Sequence, residues 1–387
     1  MTTTSTELRK FVAPEIVYGP GARCLVGRYT RNLGATRVLV VSDPGVVLAG
    51  WPREVFSSLE QEGVRYHLFA DVSPNPRAQE VHRGVQVYLQ EHCDALVAVG
   101  GGSPMDCAKG IGIVLANKEN ILTFEGVDRI ARPIPPLVCV PTTAGSSADV
   151  SQFAIITDTS RRLKISIISK AIVPDVSFVD YDTTRTLTPF LIACCGMDAF
   201  VHGIEAFVSN AHSKLTDVYA LAAISLIWNN LRAAMESPPN EVARHQLMEG
   251  SLEAGLAFSN TSLGAVHAMA HALGGLIDNP HGEANTLLID HVVAFNYEAS
   301  PERFDLIAEK MGLEPTRLAP SRRKEALLSA LRQLKHSSGL ALRLRDKGVS
   351  RSDIPFLARN ALADPCMVTN PRRLTLRDVE VLYEQAY

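Results

Sequence analysis

The sequence predicts an α/β domain followed by an all-helical domain. Three observations lead there. Short Val-rich runs alternate with helical stretches through the first half of the chain. The β signal stops after Leu187. Between a buried strand and a helix start stand three glycines, Gly100 to Gly102, a turn of the kind found where such sheets hold ligands. A length of 387 residues fits two domains, and the change of rhythm at Thr186–Pro189 divides the chain into 1–187 and 188–387.

The elements follow in order. RVLVVSD (Arg37–Asp43) is a short Val-rich run, read as a parallel strand buried on both faces. Helices are predicted at Trp51–Glu62 and Ala78–Glu91, and strands at Arg65–Ala70, Ala95–Gly100 and Leu137–Pro141. Strands alternating with helices predict a parallel sheet covered on both faces. SQFAIITDTSRRLKISIIS (Ser151–Ser169) reads as an antiparallel hairpin about the polar turn Asp158–Arg162, and VPDVSFVD (Val173–Asp180) as a closing strand. Helical periodicity then marks Gly196–Ser209, Leu215–Met235, Val242–Ser259, Ala265–Leu273 and Glu283–Phe295, and helices continue to Tyr387.

Composition excludes several classes. The chain is 46% hydrophobic and 20% charged, with a net charge of −3, which offers nothing for nucleic acid or an acidic membrane. The basic region Arg317–Arg351 reads as the solvated side of helices. Seven cysteines without CxxC pairs argue for a reducing compartment, hence the cytoplasm, and the adjacent Cys194 and Cys195 read as small core residues. MTTTSTELRKF lacks a signal-peptide core, and no stretch is expected to reach the ~20 apolar residues of a membrane span.

The strand Ala95–Val99 runs into GGGSPMDCAKG. Ser103 suits an N-cap and Pro104 the first helical position, so free backbone N–H groups meet glycines that admit a ligand closely. Asp43 ends another strand, where a carboxylate can accept from a ribose. PTTAGSS (Pro141–Ser147) is a second small-residue loop at a strand end. Three such loops at one sheet edge fit a dinucleotide.

Histidines cluster in the second half. Asp198 and His202 in GMDAFVHGIEAF lie at i and i+4, on one helix face, where they can share a metal or a hydrogen bond. His267 and His271 form a second such pair, and spacing by itself picks both as ligands. His281 follows Asp278–Asn279–Pro280 at a helix start and can turn back toward the same point. His291, ten residues on, reads as structural.

At this point the chain resembles the iron-containing (group III) alcohol dehydrogenases. The matching segments span nearly its whole length: FVAPEIVYGPGA, VVSDPG, SPNP, GGGSPMDCAKG, PTTAGS, GMDAFVHGIEAFVS, GAVHAMAHALGG with NPHGEANT, and DPCMVTNPR. The resemblance implies the dehydroquinate synthase-like two-domain fold and a metal held by Asp198, His202, His267 and His281. His271 would then be a non-ligand that relays a proton. Gly101, Gly102 and Ser103 would bind the pyrophosphate of NAD, with Asp106 supporting the turn. Asp43 would favour NAD over NADP. Asn75, Thr142, Thr143, Phe153 and Lys164 would line the rest of the cleft. The implied reaction passes hydride between the carbon of a primary alcohol or diol and C4 of the nicotinamide, with Fe²⁺, or else Zn²⁺, polarising the oxygen. A homodimer or larger homo-oligomer is also implied. Two departures stand out: Ser147 replaces a family glycine, and Cys194–Cys195 replace small residues and Thr. A lyase or another polyol dehydrogenase of the same superfamily and a non-catalytic NAD-binding relative are the competing readings; the presence of all four implied ligands counts against the last.

Overall fold

The computed structural model describes residues 8–387. Among the described residues nine strands occur in chain order: β1 Glu15–Tyr18, β2 Arg37–Val41, β3 Arg65–Phe69, β4 Ala95–Gly100, β5 Gly126–Val127, β6 Leu137–Pro141, β7 Phe153–Asp158, β8 Leu163–Ile168 and β9 Val176–Val179. Helices α1 Val26–Asn32, α2 Pro44–Ala49, α3 Trp51–Gln61, α4 Ala78–Gln90 and α5 Gly102–Asn117 lie among them. From Pro189 the regular structure is helical: α6 Pro189–Val208, α7 Lys214–Ala234, α8 Glu241–Thr261, α9 Ala265–Ile277, α10 His281–Asn296, α11 Pro301–Lys310, α12 Pro320–Ser337, α13 Ile354–Ala363 and α14 Leu376–Gln385, with short 3₁₀ turns between.

Six parallel strands form the main sheet in the order β1-β9-β6-β4-β2-β3. Their apolar runs alternate between two cores. Leu39, Val41, Leu96 and Ala98 face α4 and α5, while Val38, Val40, Val97 and Val99 face α1 and α3. Period 2 therefore explains why β2 and β4 read as unbroken Val-rich runs. From β2 the chain moves out to β3 at the edge, then returns to β4 on the other side of β2. That reversal opens a crevice between the loops after β2 and β4, where ligands of such sheets bind. β7 and β8 form the expected antiparallel hairpin, and β5 adds a third strand.

Several boundaries differ from the sequence reading. β1 was not anticipated: four residues of mixed exposure carry little pattern, and pairing with the distant β9 makes them a strand. β2 stops at Val41, because Asp43 is the N-cap of α2 and accepts from Val46 N at 3.0 Å. α5 starts at Gly102 with Gly101 as N-cap, so Ser103 is not the cap; its Oγ accepts from the Asn75 N–H at 3.2 Å. α6 begins at Pro189, capped by Thr188, instead of at Gly196. It is also the one helix among the described residues with the length and apolarity of a membrane span, against expectation, but 89% of the qualifying window is buried in this chain. α6 is the core helix of the second half, packed by α7, α8 and α10. In α12 the basic residues are not all solvated: Lys335 is buried and donates to Asp290 at 2.5 Å.

Candidate metal centre and cofactor cleft

One carboxylate oxygen organises the histidines. Asp198 Oδ1 stands 3.9 Å from His202 Nε2, 3.6 Å from His267 Nε2 and 3.7 Å from His281 Nε2. α6 supplies Asp198 and His202 from one stripe, one turn apart. α9 brings His267, and the first residue of α10 brings His281. Asp198, His202 and His267 are buried, whereas the His281 side chain is 26% exposed, the open side of the group. Donors ~2.1 Å from a tetrahedral ion lie roughly 3.4 Å apart; Asp198, His267 and His281 have donor atoms all within 4.8 Å of one another, a group to which His202 is joined through Asp198. Nitrogen and oxygen donors of this kind suit Fe²⁺ and Zn²⁺ alike.

The charges are coupled. Burial works against ionisation of Asp198, but His202, His281 and His267 hold its carboxyl well below the usual carboxylate range. Burial pushes His202 down to about 3, despite Asp198. Burial likewise lowers His281. His267 goes the other way, to about 9: burial opposes its charge, but carboxylates on both ring nitrogens outweigh that. Nε2 faces Asp198, and Nδ1 lies 2.7 Å from Glu205 Oε2. The Asn285 amide donates to Asp198 Oδ1 at 2.7 Å and lies 3.1 Å from His267 Nε2.

His271 makes no comparable contact with Asp198. Its ring lies 6.2 Å from that of His267 and stacks on His281 at 5.2 Å. Its Nδ1 is 2.9 Å from Asp364 Oδ2, which also accepts from Ser166 Oγ at 3.3 Å. Asp364 can only accept, so Nδ1 carries the proton and Nε2 is left as an acceptor. His291 lies apart from the group, beside Asp290 and Lys335.

The three sheet-edge loops meet. A Cβ on Gly100, which has φ +153°, would stand 2.7 Å from the Pro104 ring and 3.4 Å from Asp43 Oδ2. On Gly101 it would come within 3.1 Å of the Thr143 side chain, and on Gly102 within 2.9 Å of Ser146. Thr142 N–H donates to Gly100 O at 2.8 Å, tying the second loop to the first. Asp106 follows one turn into α5, its carboxyl pushed up to about 7 by burial. Asn75 sits at φ +59° and links both halves: it accepts from Lys164 Nζ at 2.7 Å and donates to Asp278 Oδ1 at 2.8 Å. Burial lowers Lys164 to about 8. Its ammonium lies against Gly274, two turns beyond His267, where a Cβ would stand 2.7 Å away. Phe153 lies toward the histidine group: its ring meets Phe258 edge-on at 5.5 Å, and Phe258 stacks on His202.

The two departures have local reasons. Ser147 holds φ +49° and donates across to Ser251 O on α8 at 2.7 Å, so a hydrogen bond supports the strained backbone. Ser147→Gly is expected to lie within about 1 kcal/mol of wild type, strain relief offsetting the lost bond. Ser147→Ala keeps the strain without the bond and should be roughly 1 kcal/mol less stable than the glycine variant, measured by urea unfolding. Cys195 packs under Gly145, where a Cβ would meet its Cα at 2.8 Å. Burial pushes both thiols up, Cys194 to about 12, so neither is a thiolate nucleophile at neutral pH.

The sequence reading passed over Glu205, Asn285 and Asp364. Each left a trace: Glu205 lies three residues after His202 on the same stripe, Asn285 one turn after His281, and Asp364 opens the quoted DPCMVTNPR.

Comparison with known proteins agrees over nearly the whole chain. Residues 13–181 match the model for iron-containing alcohol dehydrogenase, and residues 192–387 that for the Fe-containing alcohol dehydrogenase family, C-terminal. The chain is 38% identical to 1,3-propanediol dehydrogenase of Citrobacter freundii, covering 97% of this chain and 98% of that protein. It is 36% identical to NAD-dependent methanol dehydrogenase of Bacillus methanolicus, with 97% and 99% covered. The crystal structure of a 1,3-propanediol oxidoreductase superposes with a TM-score of 0.94 at 38% identity, over 98% of this chain and all of that one. The chain therefore belongs to the iron-containing alcohol dehydrogenase family, metal-dependent oxidoreductases that act on the CH–OH group of alcohols or on the matching aldehydes.

Proposed function

We propose that Asp198, His202, His267 and His281 hold one Fe²⁺ or Zn²⁺ ion and that NAD lies in the crevice above the sheet. In this reading residues 1–187 are the cofactor domain and 188–387 the metal-binding domain. Gly101, Gly102 and Ser103 take the pyrophosphate at the start of α5, where free N–H groups point outward. Asp43 keeps Oδ2 for a ribose while Oδ1 caps α2. Asp106 supports the glycine turn, and Asn75, Thr142, Thr143, Phe153 and Lys164 border the rest of the cleft. The substrate is a short primary alcohol or diol, a reading supported by the relatives named for 1,3-propanediol and methanol. The observation that carries the proposal is the convergence of three imidazole Nε2 atoms on one carboxylate oxygen.

When bound, the ion supplies Lewis acidity at the substrate oxygen, and the nicotinamide takes or gives the hydride. The chain's own residues do the rest. Oxidation of an alcohol to an aldehyde releases one proton besides the hydride. His271 Nε2 accepts that proton, and the Asp364 contact to Nδ1 keeps it in the accepting tautomer. In reduction the same atom returns it. Lys164, held by Asn75, brings a positive charge between the two halves.

The test is direct. Protein stripped of metal and reloaded with Fe²⁺ or Zn²⁺ is given NAD and a panel of primary alcohols, diols and hydroxy acids, and NADH absorbance is followed. Turnover with short alcohols or diols, dependent on the metal, is expected; no NADH from any alcohol overturns the proposal. His271→Ala should retain metal but lose about 10²- to 10⁴-fold in kcat and alter its pH profile, whereas an unchanged profile removes His271 from the proton path. The seven cysteines, all unpaired, support a cytoplasmic setting. A homodimer or larger assembly is proposed on the family resemblance.

A further inference from the structure

We propose that Glu205 is a positioning residue of the metal centre, a carboxylate that sets the tautomer of His267 and so aims its Nε2 lone pair at the ion. This rests on the ligand set proposed above. Glu205 is 4% exposed, in the buried second half of α6 between Ile204 and Ala206. A carboxylate there is costly unless it is fully hydrogen-bonded. It is: Oε2 accepts from Gly264 N at 3.0 Å and from His267 N at 3.4 Å, and Oε1 from Val266 N at 2.7 Å. These are the free N–H groups at the start of α9, whose N-cap, Gly264, has no side chain to serve them. The glycine is required there, since a Cβ would stand 2.8 Å from Glu205 Oε1.

The fourth partner is His267 Nδ1, at 2.7 Å from Oε2. An ionised carboxylate only accepts, so Nδ1 must carry a proton. A neutral imidazole has one acceptor nitrogen, which is then Nε2, the atom facing Asp198. α6 thus supplies three groups from one stripe: Asp198, His202 and the carboxylate that orients the ligand on the neighbouring helix. Carboxylates behind a ligating imidazole fix its ring and raise its basicity.

The test uses the metal-free full-length protein titrated with Zn²⁺ or Co²⁺. Glu205→Gln keeps the shape, but its amide sets N–H donors against backbone N–H groups and removes the charge behind the ring. The Zn²⁺ dissociation constant should rise about 10- to 100-fold. The visible bands of the Co²⁺ form should shift, a change that loss of helix capping alone would not cause. Glu205→Asp, which restores the charge on a shorter arm, should bind Zn²⁺ between wild type and the Gln variant. A folded Glu205→Gln protein with wild-type Zn²⁺ affinity and an unmoved Co²⁺ spectrum overturns the proposal. If the Gln variant does not fold, Glu205→Asp carries the test: weakened Zn²⁺ binding supports it and wild-type binding overturns it. His267→Ala run in parallel separates the two ideas. If that variant binds Zn²⁺ like wild type, the ligand set itself is wrong and this proposal falls with it.

Discussion

His267→Ala is expected to lose its metal during purification and to show kcat/KM lowered by at least roughly 10³-fold, the several kcal/mol that a Lewis-acidic ion contributes to such reactions. His267 is 1% exposed and at the middle of the group, its ring 4.5 Å from that of His202 and 5.3 Å from that of His281. Alanine removes a donor and leaves Asp198 with two imidazoles. Fold should survive, because Glu205 keeps its three backbone partners at the start of α9. Elemental analysis and steady-state rates check both parts. Wild-type metal content with wild-type turnover would remove His267 from the site.

Gly282→Ala should damage the same centre without touching a ligand. α10 begins at His281, and its second residue lies against α6 so closely that a Cβ on Gly282 would stand 1.9 Å from the Cys194 carbonyl oxygen. The obstacle is backbone within α6, so no side chain can swing away to make room. The two helices must part, and His281 must move with α10 while Asp198 stays on α6. Overpacking of this kind costs about 1–3 kcal/mol and sometimes more. We expect a matching fall in the urea midpoint and a Zn²⁺ dissociation constant raised about tenfold or more, comparable with the loss of a supporting contact. Unchanged stability together with unchanged Zn²⁺ binding would mean that the close approach of α6 and α10 does not hold His281 in place.

Much of this was legible without coordinates, and the reasons are local. Val-rich runs announced β2, β4 and β6, because a strand buried on both faces has no polar positions to interrupt it. The hairpin β7–β8 showed in its two β-rich runs about Asp158–Arg162. The i, i+4 spacing put Asp198 and His202 on one stripe, as α6 confirms. Other features left too little local signal. β1 is a strand only because β9 lies beside it. Ser147 reads as an ordinary polar loop residue until its positive φ and its bond to α8 are seen. Lys335 belongs to a basic run that is otherwise mostly surface, yet Asp290 draws it inside.

The histidine question shows where the division falls. Residue order determined which groups share a helical face, through the 3.6-residue repeat, and which segments carry donors at all. It offered His267 and His271 as equals, since both lie on one face of α9. The family resemblance set them apart, and packing shows the physical difference: α6 meets His267 with Asp198, while the segment after α13 meets His271 with Asp364. A helix repeat fixes direction around one axis; whether two side chains meet depends on how separate axes cross, and that is settled by contacts between residues far apart in the chain.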